Sequence, residues 1–281
     1  MISLNSYAKI NIGLDVTDRL ENGYHNIKTI MQTISLCDEL SFKKSTDITI
    51  ETDCGVSLED NIIYKAIRLM QEMYTDSTKG MSVILNKHIP MGAGLGGGSS
   101  NASMSIIAYD KLYELNLTEG KKCEIAKKVG ADVTVLMYRG TFLCEGIGEK
   151  LTRIENEQHL FVVLVKPDYA ISTKEAYDYL DNIAKSTTDF DRLIFDLKNG
   201  NVEQFREYAH NCFEHYTSTL NDSTMTIKSQ LYSLNADYAS LSGSGSVVYG
   251  LYKNKSQAQS ALQSLSKMYD KVYLADFIVE N

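Results

Sequence analysis

Between Pro90 and Ala102 the chain reads Pro90-Met91-Gly92-Ala93-Gly94-Leu95-Gly96-Gly97-Gly98-Ser99-Ser100-Asn101-Ala102, and five of its 18 glycines fall within seven positions. Glycine lets the main chain approach a ligand with no Cβ in the way. A helix that starts directly after such a loop offers unpaired N–H groups and the positive end of its dipole. Both features suit phosphate binding. Gly92, Gly94 and Gly97 also satisfy G-x-G-x-x-G, so a nicotinamide-dependent oxidoreductase is a second reading. That fold needs a strand running into the loop, a helix, and a second strand ending in an acidic residue about 20 positions on. Here Asp110 and Glu114 fall inside the predicted helix instead. The loop closes on Ser99-Ser100 and lacks the adjacent lysine of the common P-loop, and a purely structural glycine loop is the third reading.

Two charged residues are the other candidates. Lys9 and Asn11 sit in a stretch, Tyr7 to Val16, where Ile10, Ile12, Leu14 and Val16 alternate with polar residues or glycine. That period predicts a strand with one buried face, which points Lys9 and Asn11 the same way. Asp132 follows Gly130-Ala131. Taken alone, Lys9 reads as a solvated charge on a strand face and Asp132 as a helix N-cap.

The elements that must hold these residues can be read along the chain. Asn22-Gly23 marks a turn, Ile27 to Leu40 reads as extended, and Ile48 to Thr52 as another strand, so the opening region is mostly antiparallel sheet. Asp60 precedes an apolar helical stripe of Ile62, Ile63, Ala66, Ile67, Met70, Met73 and Tyr74 that stops before Thr75-Asp76-Ser77. Met81 to Leu85 reads as a strand, Asn101 to Leu115 and Thr118 to Val129 as helices, and Thr141 to Cys144 as a strand. Leu160 to Val165 is apolar enough for a strand covered on both faces. Ser172-Thr173-Lys174-Glu175 has capping-box form, and polar helices fill Asp189 to Leu234. Tyr238 to Tyr252 and Val272 to Val279 read as strands around a helix from Ser256 to Met268. The expected fold class is α+β with two lobes, residues 1–154 and 155–281, the second of them ferredoxin-like.

The whole chain sets further bounds. Its 281 residues, 43% of them hydrophobic, suffice for a sizeable core. A net charge of -8 lacks the basic footprint of a nucleic-acid binder. Met1-Ile2-Ser3-Leu4-Asn5-Ser6 has no basic stretch before an apolar core, and no apolar run approaches the roughly 20 residues a bilayer needs, which predicts a cytoplasmic protein with no membrane partner. The five cysteines are scattered singly, which predicts buried reduced thiols rather than disulfides or a zinc site. His210 and His215, five apart, do not share a helical face, so they do not read as metal ligands.

The loop resembles the signature of the GHMP small-molecule kinases, in which a proline, alternating glycines and paired serines precede a helix. Three further segments agree in order. Ala8-Lys9-Ile10-Asn11 followed by Gly23-Tyr24-His25 resembles the branch of that family with a cytidylyl substrate. Gly130-Ala131-Asp132-Val133 and Glu145-Gly146-Ile147-Gly148-Glu149 follow downstream, and Leu241-Ser242-Gly243-Ser244-Gly245 resembles the last glycine motif. The similarity runs from residue 8 to about 252. Thr134 stands where family members have proline, and Met31 where they have an aromatic.

The resemblance implies ATP-dependent phosphorylation of a hydroxyl on the methylerythritol half of a cytidine-diphosphate-linked substrate, a step in non-mevalonate isoprenoid synthesis. It implies Asp132 as the base and Lys9 as the cation that pairs with it. Pro90 through Asn101 would bind ATP, with Asn61, Lys87 and Asn101 near the adenosine and Ser99 or Ser100 available to Mg2+. For the substrate it implies Asn11 near the erythritol, Tyr24 stacking with Tyr177 around the cytosine, His25 on the base edge, and Thr173, Gly243, Ser244 and Gly245 lining the pocket. A monomer or weak homodimer is expected. Sister kinases acting on homoserine, mevalonate or galactose, and a silent member that only binds nucleotide, are the alternatives within the family.

Overall fold

The computed structural model describes residues 1–21, 23–74, 79–183, 187–220 and 223–279. The expected turn residue Asn22 and the helix stop at Thr75-Asp76-Ser77 lie outside them. The chain divides into two compact units: residues 1–8, 37–91 and 96–138 form the first, and residues 9–36, 92–95 and 139–281 the second. Two long strands, β1 (Ile2–Arg19) and β2 (His25–Ser45), contribute residues to both.

In the first unit the later half of β2 pairs antiparallel with β4 (Gly80–Asn86), from Glu39 opposite Asn86 to Ser45 opposite Gly80. The short strand β3 (Thr49–Glu51) lies parallel to β4. Helices α1 (Ile62–Tyr74), α2 (Gly97–Tyr113) and α3 (Glu119–Val129) pack against one another. Their shared core includes Phe42, Ile67, Val83, Ile106, Tyr109 and Ile125. Along α1, Ile63, Ala66, Ile67 and Met70 are buried as the period predicts, whereas Met73 is exposed. Asn61 caps this helix, its Oδ1 accepting the Ile63 N–H at 3.0 Å, while Asp60 accepts the Ser57 hydroxyl at 2.7 Å.

In the second unit β7 (Phe161–Val165), β8 (Tyr238–Leu241), β9 (Val248–Tyr252) and β10 (Val272–Asp276) form an antiparallel sheet in the order β10-β7-β9-β8. Helices α4 (Thr173–Leu180), α5 (Phe190–Asn199), α6 (Phe205–Tyr208), α7 (Glu214–Leu220) and α8 (Ser223–Ser233) connect β7 to β8, and α9 (Lys255–Leu265) connects β9 to β10. This is the split β-α-β order of a ferredoxin-like sheet. Residues 162 to 165 of β7 are fully enclosed, as their unbroken apolar run predicts. The first half of β2 pairs with β5 (Thr141–Gly146), which pairs with β6 (Lys150–Ile154).

Four expectations change. α2 starts at Gly97, not Asn101. Residues 238 to 252 form a hairpin, not one strand, because the Leu241-Ser242-Gly243-Ser244-Gly245 stretch turns the chain between β8 and β9. β1 is buried on both faces from residue 8 to 16, so Lys9, Asn11 and Asp15 are enclosed. Of the five free cysteines only Cys144 and Cys212 are buried; Cys37, Cys54 and Cys123 keep some exposure.

Candidate active site

Part of the glycine loop is held within the second unit. Ala93 and Leu95 turn inward and are buried, with Gly94 between them. The Leu95 carbonyl accepts the Lys9 N–H of β1 at 3.0 Å, and the Ala93 carbonyl accepts the Val247 N–H at 3.3 Å. The Ser242 hydroxyl donates to the Gly94 carbonyl at 2.9 Å. A Cβ on Gly94, at φ 74°, would fall 1.9 Å from the Ser242 carbonyl oxygen, so only glycine fits there.

The same contacts bring Lys9 to the last glycine motif. Its Nζ lies 3.4 Å from where a Cβ on Gly243 would be, and it donates to Asn11 Oδ1 at 2.5 Å. Asn11 Nδ2 donates to Thr29 Oγ1 at 3.0 Å, and Thr29 donates to the Gly13 carbonyl at 2.6 Å. Lys9 is therefore no solvated charge: it is 4% exposed and set by a buried polar chain. Asn211 Nδ2 bonds the carbonyls of Leu241 and Gly243 at 2.8 and 2.9 Å, fixing the motif from below. Ser244 Oγ meets Thr173 Oγ1 at 2.9 Å, which ties the hairpin to the start of α4. Ser172 caps α4 by accepting the Glu175 N–H at 3.3 Å, but the Glu175 carboxylate accepts from Tyr216 at 3.1 Å, so the capping box is half formed.

A second cluster of expected substrate residues gathers at the start of β2. The His25 ring stacks on Tyr177, with centroids 4.7 Å apart and planes 20° apart. Its Nε2 meets Asp181 Oδ1 at 2.7 Å, and Arg19 Nη1 donates to Asp181 Oδ2 at 3.0 Å. Tyr177 rests edge-on against Phe213, while Tyr24 is 58% exposed.

In the first unit the loop becomes helix. Gly96, left-handed at φ 69°, stands at the cap position of α2, and no side chain caps that end. The first-turn N–H groups thus remain for a ligand. Ser99 is partly exposed, whereas Ser100 is enclosed with its Oγ unpartnered, as is Asn101 Oδ1. The Lys87 ammonium approaches the first residue of α2: a Cβ on Gly97 would lie 3.1 Å from Nζ. Pro90 is partly buried and Met91 exposed ahead of the loop.

Asp132 is half-buried in a 3-10 turn, Ala131–Val133, that continues into Val135–Met137. Gly130, not Asp132, holds the cap position. Thr134 sits at φ -65°, the angle a proline would impose, so threonine keeps the turn without the ring. The Glu145-Gly146-Ile147-Gly148-Glu149 motif is the β5–β6 turn, closed by Glu149 Oε2 accepting the Ile147 N–H at 2.7 Å. The Rossmann reading fails on topology: α2 leads into α3 rather than a parallel strand.

Thr29, Asp38, Asp181 and Asn211 were not legible as site residues. Each acts on a partner far along the chain, and no local spacing signals it.

The profile of the GHMP kinases N terminal domain matches residues 61–140, and that of the GHMP kinases C terminal matches residues 193–271. A 4-diphosphocytidyl-2-C-methyl-D-erythritol kinase of Thermodesulfovibrio yellowstonii is 39% identical, covering 94% of this chain and 94% of that protein. One of Thermoanaerobacter pseudethanolicus is 40% identical over 99% of this chain and 96% of its own length. The chain belongs to the 4-diphosphocytidyl-2-C-methyl-D-erythritol kinase family of GHMP kinases. A crystal structure of a kinase of this family superposes with a TM-score of 0.84 and 25% identity, covering 98% of this chain and 99% of the other. The fold of this GHMP kinase is thereby that of its family.

Proposed function

We propose that this chain transfers the γ-phosphoryl group of ATP to the 2-hydroxyl of 4-diphosphocytidyl-2-C-methyl-D-erythritol. The observation that carries the reading is the glycine loop running directly into an α2 end that no side chain caps, in a chain about two-fifths identical to kinases of that name. In the transfer the acceptor oxygen bonds to the γ-phosphorus, the bond from that phosphorus to the β–γ bridging oxygen breaks, and ADP leaves. Catalysis of this kind is mostly alignment and charge stabilisation.

Asp132 takes the acceptor hydroxyl's proton. Lys9, aimed by Asn11 and Thr29, offsets charge on the attacking oxygen. First-turn N–H groups of α2 hold phosphate oxygens, with Lys87, Asn61 and Asn101 toward the nucleoside. Mg2+ bound with ATP would neutralise phosphate charge. Ser99 fits as its protein oxygen because it keeps exposure, whereas the Ser100 hydroxyl is enclosed. Tyr24, His25 and Tyr177 form the cytosine pocket, and Thr173, Gly243, Ser244 and Gly245 line it on the hairpin side.

We place the boundary between the two functional lobes near residue 155 and the protein in the cytoplasm, as a monomer or weak homodimer. Among the described residues no helix is long and apolar enough to cross a membrane. Coupled detection of ADP tests the activity. Release with the cytidylyl substrate and none with homoserine, mevalonate or galactose is expected; turnover with one of those three alone would reassign the acceptor, and nucleotide binding with no turnover would make the chain a silent member.

A further inference from the structure

The glycine loop has no lysine of its own, yet a lysine stands at the end of α2. Lys87 Nζ donates to Asp38 Oδ2 at 2.6 Å and to the Ile89 carbonyl at 2.5 Å. Asp38 lies on β2, fully enclosed, and its Oδ1 accepts the N–H groups of His88 and Ile89 at 2.8 and 2.7 Å. One carboxylate thus fixes both the ammonium and the main chain that leads into the loop. A Cβ on Gly97 would sit 3.1 Å from Lys87 Nζ and 2.9 Å from Ile89 Cγ2, so glycine at the first position of α2 is what lets the cation come this close.

An ammonium has three N–H donors. Two are spent on Asp38 and Ile89, and the Lys87 side chain keeps 13% exposure. A buried carboxylate left without its cation costs more than the pair contributes, so Asp38 is not an ordinary surface partner. Its three acceptor contacts are those of a group that sets geometry.

We propose that Asp38 is a positioning residue for nucleotide binding: it holds the Lys87 ammonium beside the first residue of α2, against the nucleotide that this end of the helix receives. The inference rests on reading that loop as the nucleotide site.

Calorimetric titration of the full chain with ADP, without acceptor, tests it on wild type, Asp38→Asn, Lys87→Met and the double variant. Asp38→Asn and Lys87→Met should each weaken ADP about tenfold or more, as expected for a lost charge-assisted hydrogen bond. The double variant should bind no more weakly than Lys87→Met, because both changes remove one device. In turnover, KM for ATP should rise while KM for the acceptor stays put, a split that general loosening of the fold would not produce. Wild-type affinity in folded Asp38→Asn or in Lys87→Met, or strict additivity in the double variant, overturns the proposal. If Asp38→Asn does not fold, Asp38→Glu, which keeps the charge but displaces it, should show the same selective loss, and wild-type binding there also overturns it. A wild type that binds no ADP would instead sink the kinase reading itself.

Discussion

The Ser242 hydroxyl donates to the Gly94 carbonyl at 2.9 Å, joining residues 148 apart in the chain. At that contact the two backbones are as close as atoms allow, since any Cβ on Gly94 would meet the Ser242 carbonyl oxygen at 1.9 Å. Gly94→Ala must therefore push the hairpin away as well as strain a left-handed residue. A loss of about 2 kcal/mol or more in denaturant unfolding is expected, together with loss of turnover. Ser242→Ala, which removes one hydrogen bond and leaves the packing, should cost only about 1 kcal/mol. Equal stability of Gly94→Ala and wild type would show that the loop is not clamped there.

Lys9 and Asp132 are expected to be needed for the chemical step. Each alanine variant should lower kcat by about 10² to 10⁴-fold with circular dichroism unchanged. Asn11→Ala should have a smaller effect, about tenfold, because it removes one contact that aims the Lys9 ammonium and leaves the charge in place. Single-turnover phosphoryl transfer separates these outcomes, and near-normal rates in Asp132→Ala would remove it as the base.

What the sequence made legible, and what it hid, follows from the range of the forces involved. α1 was predicted at Ile62 to Tyr74 and found there because its buried stripe is a local, periodic signal. The glycine loop is legible for the same reason, five glycines in a short window. The start of α2 was not: Gly97 and Gly98 are poor helix formers, and packing against α1 and α3 overrides that preference. β6 was missed because Ile154 is its only buried residue, so no alternation marks it. In isolation Lys9 reads as solvated, because the residues that enclose it, Asn11, Thr29 and Leu95, include two that lie 20 and 86 positions along the chain.

The His25–Asp181 contact at 2.7 Å predicts which residue orients the imidazole. Asp181→Asn keeps the shape but weakens the acceptor for Nε2–H, so KM for the cytidylyl substrate should rise about tenfold with kcat little changed. His25→Ala should raise KM at least as much, and Tyr24→Ala likewise. KM for ATP should not move in any of them. An unchanged acceptor KM in His25→Ala would remove this cluster from the substrate site.

The two loop serines should separate cleanly. Ser100 Oγ is buried without a partner, a situation that costs about 1 to 3 kcal/mol. Ser100→Ala should therefore melt no lower than wild type and keep its Mg2+ dependence. Ser99→Ala should leave melting unchanged and raise the Mg2+ concentration giving half-maximal rate. The opposite assignment in a magnesium titration would make Ser100 the ligand.

Asp15 gives the fold a pH dependence whose sign can be fixed in advance. Burial pushes its carboxyl above the ordinary 3.8, outweighing the N–H of Thr188, which bonds both oxygens at 2.9 and 3.2 Å, and the more distant charges of His210 and Lys28. Between 3.8 and the raised value the folded chain holds a proton that the unfolded chain has released. Stability contributed by this group therefore falls as pH rises through that window and stays lower above it. Asp15→Asn removes the buried charge and keeps an oxygen for the Thr188 N–H. Its melting temperature should exceed that of wild type near neutral pH, and the gap should close as pH is lowered toward the ordinary carboxylate range. A gap that is constant with pH would mean that folding leaves this carboxyl unshifted, and one that widens on acidification would mean that Asp15 is stabilised as the carboxylate rather than penalised by its burial.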